Sequence, residues 1–143
     1  MNVFNLVQHK LKKCFTLDPF ADNLNKKCNN FYSKYWCENS AGVDAFAYSW
    51  STEHSWIVPP PKLVSKVLQH ARVCHAKGVL IVPKWYSAAY WPLLRNGDNW
   101  VDGVSCLLEY VRPTQFFTRP IVGNNVFSEN IFLSNVLVLG IRF

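Results

Sequence analysis

Apolar and polar positions fall into distinct rhythms along the chain. Val3, Phe4, Leu6, Val7 and Leu11 recur at helical spacing and predict an amphipathic helix over about residues 2 to 13. The run CFTLDPFA then predicts a short buried strand ending at Asp18. From Asp22 to Gly42 the chain is rich in Asn and Lys and keeps no period, which predicts mostly loop. VDAFAYSW reads as a strand or a strand-to-turn segment, and HSWIV as a further strand.

That strand stops at three consecutive prolines, Pro59, Pro60 and Pro61. Each lacks an amide donor and fixes φ near −65°, so they suit a chain leaving a sheet and entering a helix, and no interior position of either. From Lys62 to about His75, Leu63, Val64, Val67, Leu68, Ala71 and Cys74 form one apolar stripe, with Lys62, Lys66 and His70 on the opposite face. Gly78 stands where a helix C-cap glycine is expected. VLIVP then predicts a buried strand closed by Pro83, and SAAYWPLL a short helix. VSCLLEYV fits helix or strand, residues 114 to 130 read as loop, and IFLSNVLVLGIRF as a terminal core strand.

A strand, a helix-length crossover and a second strand form a βαβ unit, which implies a mostly parallel sheet. The expectation is one α/β domain spanning residues 1 to 143, without repeats or low-complexity linkers. In such sheets ligands bind beyond the carboxyl ends of the strands. LDPFAD, VPPPK and VPKWYSAAYW are those ends, and they are the candidate site.

Charge and composition narrow the chemistry. The net charge of +6 suits a polyanionic partner or simple solubility, because the cations are dispersed. The five cysteines contain no CxxC pair, and the basic residues of the opening segment follow its apolar ones, the reverse of a signal peptide. Together these predict a reducing, intracellular setting, nucleus or cytoplasm. The apolar C-terminal run is shorter than the ~20 residues of a membrane helix, so no membrane partner is expected.

No phosphate-cradling glycine motif occurs, and the histidines and cysteines lack metal-ligand spacing. Cys74 and His75 are adjacent on a helix and so point to different faces, which argues against a nucleophilic pair. Aromatic residues including Phe31, Tyr32, Tyr35, Trp36, Trp50, Trp56, Trp85, Tyr86, Tyr90 and Trp91 concentrate in predicted loops. With Lys26, Lys27, Lys34 and Lys84 they form either a stacking and charge surface for nucleic acid, or the caps of a small core.

Taken in order, the motifs from Phe4 to Leu94 resemble the Dam-like DNA N6-adenine methyltransferases of bacteriophages. They resemble more closely the version of that domain in DIRS-type tyrosine-recombinase retroelements, where it lies between RNase H and recombinase regions. Residues 95 to 143 match only loosely. The resemblance implies a class I methyltransferase-like, Rossmann-like sheet that binds S-adenosylmethionine. It assigns Asp18, Phe20, Ala21 and Asp44 to the cofactor region, and aligns Val58, Pro59, Pro60 and Pro61 with the catalytic tetrapeptide Asn/Asp-Pro-Pro-Tyr.

That alignment contains a chemical departure. The adenine amine is a poor nucleophile, because its lone pair is delocalised into the ring. The family raises its reactivity with a side-chain oxygen and a proline carbonyl, and stacks the flipped base on tyrosine. Val58 accepts no hydrogen bond and Pro61 offers no aromatic face. Trp56 or Trp85 could supply stacking, and Glu53 is the nearest acid. The favoured expectation is therefore a non-catalytic, methyltransferase-derived module of a retroelement polyprotein, without bound cofactor, acting as a scaffold or contacting DNA or RNA. An active S-adenosylmethionine-dependent adenine methyltransferase is the alternative, and a fragment without function the third reading.

Overall fold

A computed structural model describes residues 3–20, 27–28, 30–33, 42–51, 54–111 and 135–143. Among these residues there are three α-helices: α1 (Val3–Leu11), α2 (Val64–Cys74) and α3 (Trp91–Leu94). Seven strands build one sheet. They are β1 (Leu17–Asp18), β2 (Asn30–Ser33), β3 (Gly42–Val43), β4 (His54–Ile57), β5 (Lys77–Pro83), β6 (Val104–Tyr110) and β7 (Val136–Arg142). A tight hairpin of Arg95–Asn96 and Asn99–Trp100 stands apart from it.

The strand order is β3-β2-β1-β4-β5-β7-β6. The first five strands are mutually parallel, while β7 runs antiparallel to both β5 and β6. The sheet is therefore mixed and mostly parallel, as the βαβ pattern implies.

Period-two alternation divides the interior between two faces. Leu80 and Val82 of β5, Leu137 and Leu139 of β7, and Ile57 of β4 meet Val64, Val67, Leu68 and Ala71 of α2. Val79, Ile81, Val136, Val138 and Trp56 point the other way and pack with Val3 and Val7 of α1. Helices thus cover both faces, which is why β5 reads as a continuous apolar run. Each fully buried Val, Leu or Ile contributes about 1.5–3 kcal/mol.

Several sequence expectations need correction. The polar stretch expected to be loop contains β2, whose Phe31 is fully buried. VSCLLEYV, left open between helix and strand, is strand over Val104–Tyr110. The helix after the prolines opens with a 3-10 turn, Pro61–Leu63, before α2 proper. Its C-cap is His75, at φ 53° and ψ 45°, and not Gly78, which lies inside β5. The loop expected over residues 114 to 130 lies outside the described residues.

Among the described residues, most of the aromatics assigned to loops are core. Tyr32, Trp50, Trp56 and Tyr90 are buried, and Trp56 packs edge-on against Phe4 with centroids 5.1 Å apart. Trp56 is therefore no stacking platform. No helix among the described residues is long and apolar enough to cross a membrane.

Candidate functional site

The chain leaves β1 toward β2 and leaves β4 toward β5, in opposite directions across the sheet. The point where the order reverses, between β1 and β4, is where open α/β sheets form a ligand crevice at the carboxyl edge. Asp18 ends β1 there, and Val58 follows β4.

Asp18 is buried, and its Oδ2 accepts the backbone N–H of Lys27 at 2.8 Å. Phe20, two residues on, packs edge-on with Phe46 at 5.6 Å and with Trp50 at 6.2 Å. Asp44 sits at φ 66° and caps the short 3-10 turn Ala45–Ala47, its Oδ1 accepting Phe46 N–H at 3.1 Å. Its carboxylate is thus turned onto its own turn.

The cluster closes against α2. Trp50 is fully buried and its Nε1 donates to the Ala45 carbonyl at 3.1 Å. The His70 ring lies 4.5 Å from Trp50, with Nε2 2.7 Å from the Tyr48 carbonyl and 3.3 Å from Cys74 Sγ. A ring nitrogen facing a carbonyl carries the proton, so Nε2 donates. Lys66 Nζ stands 4.3 Å above the Phe46 ring. The helical spacing put His70 on the face opposite the apolar stripe, with Lys62 and Lys66. The i, i+4 spacing to Cys74 was the available signal for its partner, and the contact with Trp50 had none.

At the proline corner every missing donor falls where none is needed. Pro59 lies two residues beyond the last strand residue, Ile57, Pro60 caps the 3-10 turn with its carbonyl accepting Leu63 N–H at 2.9 Å, and Pro61 is the first residue of that turn. Val58 is half-buried and packs on the α1-side core. The end of β4 therefore presents no side-chain acceptor at Val58. Glu53, Ala21, Lys26 and Lys34 lie outside the described residues.

Beyond β5, the Tyr90 hydroxyl donates to the Pro83 carbonyl at 2.6 Å in a buried setting, and that burial raises its pKa well above the ordinary phenol value. Tyr90→Phe removes this bond while the Trp85 N–H still reaches the same carbonyl at 3.0 Å, so it should cost about 0.5–1.5 kcal/mol in urea unfolding, with an unchanged m-value.

Lys84 pairs with Glu109 at 3.0 Å, and Asn135 Nδ2 donates to the same carboxylate at 2.6 Å. The hydrogen bond with Glu109 raises the Lys84 pKa, and the same bond holds Glu109 below its usual range. Lys84 is thus largely neutralised where it stands, whereas Lys27 is exposed. Trp85 is half-buried. Tyr86 is 68% exposed and meets Trp91 edge-on at 5.0 Å. Trp91 meets Trp100 at 6.2 Å, and Arg95 stacks over Trp100 at 4.6 Å.

The structure thus brings Asp18, Phe20, Asp44, the proline corner, Lys84 and Trp85 to one edge. The edge offers aromatic faces and cations, and the His70 nitrogen that lies 3.3 Å from Cys74 Sγ already donates to the Tyr48 carbonyl at 2.7 Å, so it is no base for that thiol. Among the described residues no three side chains form a metal-binding group. No protein-family model, curated protein or solved structure matches the chain.

Proposed function

We propose that the chain is a methyltransferase-derived α/β domain that keeps the sheet, lacks the chemistry, and contacts nucleic acid within a retroelement protein. The observation that carries this reading is Val58. It occupies the strand end beside the switch point, where an amine-activating oxygen is required, and it is half-buried against the α1-side core. Losing an oriented acceptor of this kind costs about 10²–10³ in rate.

The strand order supports the methyltransferase-like form of the sheet. Its first five strands follow the doubly wound order 3-2-1-4-5. The exposed Tyr86, with Trp91, Trp100 and Arg95, supports contact with bases by stacking. The resemblance adds reverse transcriptase, RNase H and recombinase regions as neighbours in a longer polyprotein.

S-adenosylmethionine fits these residues poorly. One oxygen of Asp18 is already taken by the Lys27 amide, and Asp44 caps its own turn. The Phe20 ring packs on Phe46 and Trp50, and residues 17 to 28 contain no glycine to admit close backbone approach.

The test combines labelled S-adenosylmethionine with adenine-containing DNA. The expected result is no label in DNA, no rise in Tm with the cofactor or its demethylated product, and DNA binding that weakens with salt. Label recovered at adenine N6 would establish the active methyltransferase instead.

A further inference from the structure

The opposite edge of the sheet carries a second charged feature. His54 opens β4 and pairs with Lys77 at the start of β5, and Lys77 pairs in turn with Arg142 at the end of β7. The three residues form one row across adjacent strands. Their parity is that of Trp56, Val79 and Val138, so all three side chains project to the α1 face.

The end of α1 meets the row there. Lys10 Nζ donates to the Leu107 carbonyl at 2.9 Å, and Lys13 follows. Between them is a cleft of about 260 Å³, whose lining includes Lys13, His54, Lys77, Ser105 and Arg142 and contains no carboxylate. Like charges directly opposite in a sheet are destabilising. Lys77 and Arg142 nonetheless face each other without an ion pair among the described residues. An anion in the cleft would relieve that repulsion.

The imidazole is held in place. Its ring stacks on Phe15 at 4.6 Å and 2°, and Nδ1 lies 3.3 Å from the Cys14 carbonyl. Burial lowers the His54 pKa, and the charges of Lys13 and Lys77 lower it further against the opposing hydrogen bond. The site is electropositive at its own sensor.

We infer that this cleft is a seat for the phosphodiester backbone of a nucleic acid, on the edge opposite the strand-end site. The inference rests on the nucleic-acid reading above and adds where the backbone docks. The cleft is smaller than the roughly 300–1,000 Å³ of cavities that enclose whole metabolites, which favours a group presented by a polymer. Strands spaced ~4.8 Å apart spread the row over about 10 Å, and a nucleic-acid strand carries a charge every ~3.4 Å of rise, so the row can meet more than one phosphate. A lipid surface is disfavoured, because none of the exposed large apolar residues, Leu6, Tyr48, Val73, Tyr86, Leu93 and Val111, lines the cleft.

The test is fluorescence anisotropy with a short labelled DNA duplex, its single strand and phosphatidylserine vesicles, over a salt series. The double variant Lys77→Gln/Arg142→Gln should bind DNA about tenfold more weakly at low salt, with the slope of log K against log salt reduced by about two. Lys62→Gln/Lys66→Gln, in the 3-10 turn and the first turn of α2, should bind as the parent does. In the parent, the His54 ring signals should titrate at higher pH once DNA or inorganic phosphate is added, because a nearby anion favours the imidazolium.

Equal weakening by the α2 pair, or full-strength binding by the edge pair, overturns the inference and leaves the nucleic-acid reading standing. Binding to vesicles in place of DNA, or to neither, overturns both.

Discussion

Gly78→Ala will cost about 3 kcal/mol or more, read as a fall in the urea midpoint with an unchanged m-value. Gly78 lies in β5 at φ 151°, a conformation L side chains rarely adopt. A Cβ there would stand 2.1 Å from the Ser55 carbonyl oxygen and 2.6 Å from the Ser55 nitrogen, both backbone atoms of the neighbouring strand. Backbone cannot swing aside as a lysine tip can. Relief therefore requires separating β4 from β5, the pairing that holds the strand-end site beside the switch point. Gly97→Ala is the control: its φ is 61°, but nothing lies within 4 Å of the added carbon. It should cost about 1–2 kcal/mol, the left-handed penalty alone. Equal effects from the two substitutions would refute the close approach of β4 and β5.

Trp50→Ala should be comparably severe, at about 3–5 kcal/mol. Trp50 is fully buried, touches Phe20, Phe46 and His70, and satisfies the Ala45 carbonyl. Trp50→Phe keeps most of the volume but removes the indole donor; the Ala45 carbonyl keeps the Tyr48 N–H at 3.4 Å, so about 0.5–1.5 kcal/mol should be lost with the one bond. A thermal or urea titration separates these outcomes. A cost below 1 kcal/mol for the alanine variant would mean that the aromatic cluster does not hold the β3 end against α2.

The parts of the fold that were legible are those in which one local rule acts alone. The helical spacing of α1 and the apolar run of β5 each need only a short window to read. The proline corner was legible for the same reason, since steric and donor rules leave it few settings. β2 was hidden because four residues, Asn30–Ser33, are too few to show alternation inside a polar stretch. Gly78 was misread because a glycine after a helix signals a cap. The left-handed position is filled three residues earlier by His75, whose N–H bonds the Arg72 carbonyl at 3.2 Å.

The candidate site divides in the same way. Asp18 and the Val58 corner are strand ends and could be placed from the sequence. The contact of His70 with Trp50 joins separate elements, and so does the row His54–Lys77–Arg142, whose members are brought together only by strand order. No window along the chain contains either.

The placement of β7 also sets the order of assembly. It is last of the strands along the chain, yet it lies between β5 and β6 and pairs with both over most of its length. Until it docks, β5 presents an open, apolar edge, and β6 has no partner in the sheet. Loop-closure entropy must be met before these long-range pairings form, which makes their completion slow. During synthesis the nascent chain therefore carries its most aggregation-prone surface until residues 136–142 emerge, and a chaperone's time of need is set by the interval between β5 and β7.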